Sequence, residues 1–146
     1  MSEASEGYGP MPAHGEFCWV EIASTDLEKC RLFYSNVFGW EFKRSQAAGE
    51  DFPYLEFSSC GTEHPDGALY AMTPKMFGGE PMPPAHIAHY IAVDDCDSAA
   101  AKAAGLGAAI LKGPEDIPNV GRMAFLTDPS GAMFAMIALG QQGAKQ

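Results

Sequence analysis

The sequence has little of what nucleic-acid-binding and membrane-spanning proteins need. Its 146 residues include 9 lysines and arginines against 19 aspartates and glutamates, which gives a formal net charge of -10. A chain this acidic repels the phosphates of nucleic acids and of anionic lipids. No apolar run approaches the roughly 18 residues that a transmembrane helix requires. We therefore expect neither nucleic acid nor a membrane among its partners.

Cysteine and histidine are also scarce, and their spacing excludes the common zinc and redox motifs. There are four cysteines, Cys18, Cys30, Cys60 and Cys96. Because they form no C-x-x-C pair, neither a zinc knuckle nor a redox dithiol is indicated. Residues 1–16 lack the apolar segment of a signal peptide, so we expect a cytoplasmic protein with reduced thiols. There are four histidines, His14, His64, His86 and His89.

What is present suffices for one folded domain. Hydrophobic residues make up 47% of the chain and aromatic residues 11%, which is enough for a core in a domain of this length. The two ends carry no periodic apolar residues. We expect flexible tails at residues 1–15 and 140–146, and a single folded domain over residues 16–139.

The first half of this domain has the pattern of a strand, a helix and three further strands. Residues 17–23 have a β-type composition, and Thr25-Asp-Leu-Glu28 matches a capping box in which Thr25 is the cap. Apolar residues at helical spacing follow, and Gly39 is a helix stop. Extended stretches are expected near residues 40–43, 54–58 and 68–73.

The second half repeats this order. A strand-like stretch at residues 86–93 precedes the helix-capping residues Asp94 and Asp95, and each apolar helix position lies 69 residues after its counterpart. Near the end of each half the letters agree as well, with PDGALYAM at residues 65–72 and PSGAMFAM at residues 129–136, an offset of 64. Such duplication indicates two similar units. We therefore predict an α+β fold of two βαβββ modules, residues 16–73 and 86–139, joined by a linker at residues 74–85.

Short motifs occur in a fixed order along both modules. They are Asp26-Leu27, Phe33-Tyr34, Phe38-Gly39-Trp40, Val93-Asp94-Asp95 and Asp128-Pro129-Ser130-Gly131. With these motifs the chain resembles the vicinal oxygen chelate superfamily, which includes glyoxalases, bleomycin-resistance proteins and extradiol dioxygenases. The resemblance implies one curved mixed sheet that encloses a cavity, with the helices outside. It also implies a homodimer.

The resemblance further implies where a divalent metal ion would bind. Metal-using members hold the ion with His and Glu residues, one on the first and one on the last strand of each module. Carried onto this chain, these positions are Trp19, Ala71, Ala88 and Ala135. Neither an indole nor a methyl group offers a metal the deprotonated carboxylate or neutral imidazole that it needs. We therefore expect no metal and no other cofactor.

Alternation along the strands predicts which side chains line the cavity. The predicted lining is Trp19, Glu21, Ala71, His86, Ala88, Tyr90, Met133 and Ala135, whereas Tyr70 and Phe134 are predicted to face the helices. Glu21 is the catalytic candidate, because desolvation in an apolar cavity disfavours a charged carboxylate and suits it to act as a general base. Its alternative role is that of a strand glutamate paired with an arginine such as Arg122. His64 is expected in a solvated turn.

These residues favour a protein that binds a small, partly apolar organic molecule in a metal-free cavity. One alternative is a metal-independent isomerase or lyase with Glu21 as base and Tyr90 or His86 as acid. Another is a metal-dependent lyase or dioxygenase in which Glu21 and His86 belong to a non-standard ligand set. His86 and His89 do not form a chelate by themselves, since a separation of three residues places them on opposite faces of a strand.

Overall fold

The chain forms the secondary-structure order βαβββ twice. A computed structural model describes residues 10–46, 48–49 and 51–143. Module 1 contains β1 (Phe17–Ser24), α1 (Leu27–Phe38), β2 (Lys43–Arg44), β3 (Leu55–Phe57) and β4 (Gly67–Ala71). Module 2 contains β5 (His86–Ala92), α2 (Cys96–Gly105), β6 (Ala109–Ile117), β7 (Gly121–Thr127) and β8 (Met133–Leu139). The predicted α+β class with two βαβββ modules is confirmed.

Contacts divide the described chain into two compact units. One is Val20–Ile87, and the other combines Pro10–Trp19 with residues 88–143. The division therefore falls within β1 and β5, whereas the sequence predicts a boundary in the linker at residues 74–85. Part of that linker is a short 3-10 helix, Pro74–Phe77. None of the helices in the described ranges is long and apolar enough to cross a membrane.

Module 1 packs α1 against one face of its strands. The strands follow the order β2-β3-β4-β1, with β1 parallel to β4 and the other pairs antiparallel. Ile22, Phe57 and Leu69 form the buried core on the α1 side. The ring of Trp40 stacks between those of Tyr34 and Phe57, with centroid separations of 5.3 and 4.3 Å. The aromatic residues Tyr34 and Trp40, which belong to the sequence motifs of module 1, thus stabilise its core.

The start of α1 differs from the sequence prediction by one residue. The Asp26 side chain accepts a hydrogen bond from the Lys29 backbone N–H at 3.0 Å, so Asp26 and not Thr25 is the N-cap. Both residue types can cap a helix, and the sequence pattern could not choose between neighbours. Gly39, with a φ of 76°, ends the helix as predicted, because the left-handed conformation is easiest for glycine.

Module 2 is built in the same way. Its strands follow the order β5-β8-β7-β6, with β5 parallel to β8 and the other pairs antiparallel. Asp95 caps α2 by accepting from the Ser98 N–H at 3.0 Å. The helix packs its Cys96 and Ala100 against Ala124, Leu126 and Met136 of the strands. Phe134 packs against the same core, which confirms its predicted orientation towards the helix.

The strand register shows that the repeated letters do not mark equivalent positions. Glu21 pairs with Ala68 in module 1, and Tyr90, which lies 69 residues after Glu21, pairs with Ala135 in module 2. Ala68 and Ala135 are therefore equivalent, at an offset of 67, whereas the letters match at an offset of 64. A shift of three residues moves a side chain to the other face of a sheet.

Two predicted orientations in β4 are wrong for this reason. Ala71 pairs with Ser24 and shares the face of Ile22 and Leu69, which packs against α1, so it does not belong to the opposite face. Tyr70 pairs with Ala23 and shares the face of Glu21, so it points away from α1 rather than towards it. The position equivalent to Ala135 is Ala68, which is also an alanine.

The two glycines of the repeated letters also have different roles. Gly67 lies within β4, where an added Cβ would come within 2.6 Å of the Val20 carbonyl oxygen. Gly131 lies in the turn before β8, where its φ is 98° and an added Cβ would meet nothing within 4 Å. Gly67 is required because a side chain has no room there, and Gly131 because its backbone conformation is one that L-residues rarely adopt. The letter agreement therefore does not reflect one shared structural requirement.

Parts of both predicted tails make hydrogen bonds to strand and helix ends. The Gly15 N–H donates to the Ala92 carbonyl at 2.7 Å, and the Asp94 N–H donates to His14 Nδ1 at 2.9 Å. At the other end, the Cys96 N–H donates to the Gln141 side-chain oxygen at 2.8 Å. These backbone and side-chain groups complete strand and helix ends, and the flexibility of the two tails stays a prediction. Residues 1–9 and 144–146 lie outside the described residues.

Candidate functional site

A carboxylate and three aromatic rings lie together on the face of module 1 that points away from α1. They are Glu21, Phe52, Tyr54 and Tyr70, and we call them the Glu21 cluster. Tyr70 belongs to this face by its register with Ala23. Tyr54 belongs to it because it lies two residues before Glu56, which pairs with Ala68. All four side chains are half-buried, unlike the core on the α1 side.

The cluster is joined by one short hydrogen bond and three ring contacts. The Tyr54 hydroxyl donates to Glu21 Oε2 at 2.6 Å, the length expected for a hydroxyl donating to a carboxylate. The Phe52 ring centroid lies 5.6 Å from that of Tyr54 and 5.6 Å from that of Tyr70. The two tyrosine centroids are 6.1 Å apart. These separations are those of interacting aromatic pairs.

The electrostatics of the cluster keep Tyr70 protonated. Burial, and then the negative charge of Glu21, raise the pKa of Tyr70 to about 12. Both causes act in the same direction, because each disfavours the tyrosinate anion. At neutral pH the Tyr70 hydroxyl is therefore a neutral group that can donate a hydrogen bond. The cluster combines a carboxylate acceptor, hydroxyl donors and aromatic faces within a few ångströms.

Some of the other predicted site residues meet in an apolar cluster within the compact unit that combines residues 10–19 with residues 88–143. Tyr90 and Ala135 pair across β5 and β8 and are buried, and Trp19 packs against them. The Phe125 ring meets Tyr90 edge-to-face at 5.8 Å. Ala88 is buried and shares the face of Tyr90 on β5. Met133 is 38% exposed at the start of β8 and pairs with Thr127, so it lies outside the packed cluster.

His86 lies beside α1. Its Nδ1 is 2.8 Å from the Pro84 carbonyl oxygen, and its ring lines a depression of about 180 Å³ together with Cys30 and Tyr34 of α1. Glu21 does not line this depression. The other histidine of β5, His89, meets the ring of Phe17 edge-to-face at 5.9 Å. The structure therefore gives His86 neighbours other than those predicted for it.

The residues at the family's metal positions do not fit a metal ion. With the register corrected, those positions carry Trp19, Ala68, Ala88 and Ala135. An indole and three methyl groups offer none of the oxygen, nitrogen or sulfur lone pairs that divalent ions require. Across residues 10–46, 48–49 and 51–143, no three His, Cys, Asp or Glu side chains are placed to hold a metal ion. No chemistry can be assigned to a metal from this donor set.

Arg122 forms ion pairs with two aspartates of module 2. Its guanidinium donates to Asp97 of α2 at 2.8 and 3.1 Å and to Asp116 of β6 at 2.8 Å. The pKa of Asp116 is held below its ordinary value by the Gly143 N–H and then by Arg122. This arginine therefore ties a helix to two strands, and the carboxylates that it contacts are those of Asp97 and Asp116 rather than that of Glu21.

Sequence reasoning missed Phe52 and Tyr54. Alternation could have placed Tyr54 on one face with Glu56, because both lie in the predicted strand at residues 54–58. It could not have shown that this face carries Glu21, since Tyr54 and Glu21 are 33 residues apart in the chain. Nor does any local signal indicate that Phe52, which precedes the strand, turns its ring towards Tyr70.

The paired modules, each with a helix packed on one face of four strands, define the class of glyoxalase-like α+β proteins. Residues 17–136 match the sequence model of the Glyoxalase/Bleomycin resistance protein/Dioxygenase superfamily. The chain belongs to this superfamily. The resemblance recognised in its sequence motifs is therefore confirmed.

Two curated relatives are about twice as long as this chain. It is 36% identical over 124 residues to "Putative glyoxylase CFP32" of Mycobacterium bovis, a match that covers 84% of this chain and 44% of the relative. It is 29% identical over 130 residues to "Anthracycline biosynthesis protein DnrV" of Streptomyces peucetius, covering 85% of this chain and 47% of that protein. The chain thus spans about half the length of the curated relatives that it matches.

Solved structures support the fold. Methylmalonyl-CoA epimerase from Mycobacterium tuberculosis aligns over 92% of this chain and 94% of its own, with a TM-score of 0.58 and 15% identity. Homoprotocatechuate 2,3-dioxygenase from Brevibacterium fuscum aligns over 91% of this chain and 39% of its own, with a TM-score of 0.58 and 20% identity. At such identities the likeness concerns the fold, and function must be argued from the site.

Proposed function

We propose that this protein binds a small organic molecule at the Glu21 cluster without a metal ion. The observation that carries the proposal is the hydrogen bond of 2.6 Å between Tyr54 and Glu21 within a group of half-buried rings. Small-molecule sites are mostly apolar surfaces with a few well-placed polar groups. The alanines at the metal positions favour a ligand held by these side chains alone.

The position of the cluster supports a binding role over a packing role. The module already has a buried core on its α1 side, formed by Ile22, Phe57 and Leu69. The rings of the Glu21 cluster lie on the opposite face and remain partly accessible. Keeping a carboxylate among aromatic rings costs desolvation energy, which a purely structural contact between neutral residues would avoid. A ligand that contacts both the rings and the polar atoms accounts for this combination.

A thermal-shift screen of the purified protein against a metabolite panel tests the proposal. A ligand that binds only the native state raises the melting temperature by mass action. The shift should be lost in Glu21→Gln and Tyr70→Ala, and retained in Glu41→Gln, which removes an exposed carboxylate elsewhere in the module. A ligand whose shift survives both cluster variants would place binding elsewhere and contradict the proposal.

The second candidate function is metal-independent proton transfer, as in an isomerase or a lyase. It is favoured by a carboxylate that lies beside a tyrosine hydroxyl kept protonated by its raised pKa. Glu21 would take a proton from a carbon next to a ligand carbonyl, and the electron pair would move to the carbonyl oxygen. The Tyr70 hydroxyl would donate a hydrogen bond to that oxygen, and Glu21 would return the proton.

Hydrogen exchange in heavy water distinguishes turnover from binding alone. Carbonyl compounds found in the screen are incubated with the protein in D2O and examined by proton NMR. Turnover predicts protein-dependent deuterium incorporation that Glu21→Gln abolishes and Glu41→Gln leaves unchanged. An unmodified ligand after long incubation with the wild-type protein supports a binding or sequestering protein and removes the enzymatic candidate.

The homodimer and the cytoplasmic location belong to the same proposal. The homodimer is supported by the resemblance to other superfamily members, and light scattering should give about twice the chain mass of 15.6 kDa. A mass equal to one chain at micromolar concentration would contradict it. The cytoplasmic location is supported by the four cysteines, which are all free, as expected for a reducing compartment.

A further inference from the structure

The Glu21 cluster offers a cation two kinds of attraction at one place. Phe52, Tyr54 and Tyr70 lie in mutual contact, with centroid separations of 5.6 to 6.1 Å. The face of an aromatic ring is negative, and it attracts a cation that approaches within about 6 Å of the centroid. Three half-buried rings around one carboxylate therefore form a surface suited to an organic cation.

The Glu21 carboxylate has a defined orientation beside these rings. Tyr54 donates a hydrogen bond to Glu21 Oε2 at 2.6 Å, and this bond orients the negatively charged carboxylate. The influence of that charge is seen at Tyr70, whose pKa it raises together with burial. A bound cation would be held close to a carboxylate that already has a fixed orientation, which lowers the entropic cost of binding.

The surrounding charges favour a cation as well. The register places Glu56 and Lys43 on the same face as Glu21. Lys43 lies on β2, three strands from β1, which corresponds to about 14 Å, and Glu56 lies between them beside Lys43. The whole chain carries a formal charge of -10, and such a field draws cations and repels anions.

We infer that the Glu21 cluster selects organic cations, such as quaternary ammonium groups and protonated amines, over neutral and anionic molecules of the same shape. This inference rests on the proposed function and names the ligand class for the same site. The rings would contact the methyl or methylene groups around the charged nitrogen, and the Glu21 carboxylate would face its positive charge. Tyr54 would act as a positioning residue that holds the carboxylate.

Three probes of nearly equal shape test the charge preference. Choline, the neutral 3,3-dimethylbutan-1-ol and the anionic 3,3-dimethylbutanoate are titrated separately and followed by NMR chemical shifts of the protein. Choline should bind about tenfold more tightly than the neutral alcohol, the ratio expected for a partly desolvated cation–π contact, and the anion should bind more weakly than either. Glu21→Gln should remove most of the preference, while Glu41→Gln should leave it unchanged.

The outcomes separate this inference from the proposed function. Equal binding of choline and the neutral alcohol, with both lost in Tyr70→Ala, would overturn the cation preference and leave a ligand site at the cluster. Choline binding that Glu21→Gln does not weaken would also overturn the inference. If the metabolite screen yields a cluster ligand that carries no positive charge while choline fails to bind, the ligand class is wrong and the proposed function stands. If no ligand in either experiment depends on the cluster, both fail.

Discussion

At the scale of single residues, environment gives ordinary side chains their roles. Glu21 and Tyr54 are common strand residues, and the hydrogen bond between them turns a glutamate into an oriented acceptor. Tyr70 owes its raised pKa to burial and to the neighbouring carboxylate. Trp19 and the alanines at the positions that the resemblance implies for a metal offer no lone pair to an ion.

The titration of Tyr70 is the prediction that belongs to this scale. Its pKa lies at about 12, against an ordinary value of 10.0. In Glu21→Gln it should fall, because one of its two causes is removed, but it should stay above 10.0 because burial, the larger cause, remains. The near-ultraviolet absorbance of tyrosinate, compared between wild type, Tyr70→Phe and the Glu21 variant, measures this shift.

The same shift has a consequence for stability. A group whose folded pKa is raised binds more protons in the folded state, so its contribution to the free energy of unfolding is full below pH 10.0 and is lost as pH rises through about 12. Tyr70→Phe should therefore flatten the alkaline loss of stability. An alkaline unfolding curve identical to that of the wild type would show that Tyr70 titrates at its ordinary value.

At the scale of elements, hydrophobic periodicity predicts helices and strands, but it does not predict which residue caps a helix or which face a strand presents. The apolar stripes predicted both helices, but the cap of α1 is Asp26 rather than Thr25. Strand faces show the same limit of local patterns. The faces of Gly67 and Tyr70 are set by the register of β4 with β1, and not by the likeness of PDGALYAM to PSGAMFAM. Local patterns therefore predict elements more reliably than the faces those elements present.

Two substitutions at neighbouring positions test the helix start. Asp26→Ala should lower the free energy of unfolding by about 1 kcal/mol, because the Lys29 N–H loses its acceptor. Thr25→Ala should change it by less than about 0.5 kcal/mol, as expected of an exposed residue with no capping role. Urea unfolding of the two variants compares them directly, and a larger loss at Thr25 would restore the sequence-based assignment.

Arg122 connects three elements of module 2, and its removal should be felt most near neutral pH. Arg122→Ala breaks the contacts with Asp97 and Asp116 and should lower the melting temperature. The pKa of Asp116 is depressed below 3.8, so its contribution is present above that pH and is lost as pH falls through the folded-state value. The difference between wild type and Arg122→Ala should shrink in acid, and calorimetry over a pH series measures it.

Arg122→Lys is the matched control for this variant. It keeps the positive charge but cannot reproduce the paired contacts of the planar guanidinium with Asp97. Its melting temperature should fall between those of the wild type and Arg122→Ala. A lysine variant as stable as the wild type would mean that charge alone, without the geometry, links the helix to the strands.

At the scale of the whole molecule, the same order of helix and strands is built twice. Both modules keep the βαβββ order, and their helix caps and first strands correspond at an offset of 69. The positions that carry metal ligands in other superfamily members carry indole and methyl groups here. We therefore expect the scaffold of the superfamily without its metal ion.

Metal analysis of the whole protein tests the expectation that it binds no divalent ion. The protein, purified without a histidine tag and dialysed against Zn, Ni, Fe and Mn ions, should retain far less than one ion per chain, because its metal positions lack donors. Mass spectrometry of the dialysed protein gives the ratio. Stoichiometric binding of one of these ions that is lost in Glu21→Gln would instead support the non-standard ligand set.

The sequence by itself predicted the two modules and the superfamily, and it led us to expect no metal ligand at the positions that the resemblance implies. Helix stripes, caps and motifs are short-range features, and whether a side chain can bind a metal depends only on its own atoms. The tertiary structure alone decided that Ala68 rather than Ala71 is the counterpart of Ala135, and that Tyr54 and Tyr70 meet Glu21. Strand pairing joins residues far apart in the chain, and an odd shift in register exchanges the faces of a strand, so no local pattern could have fixed these contacts.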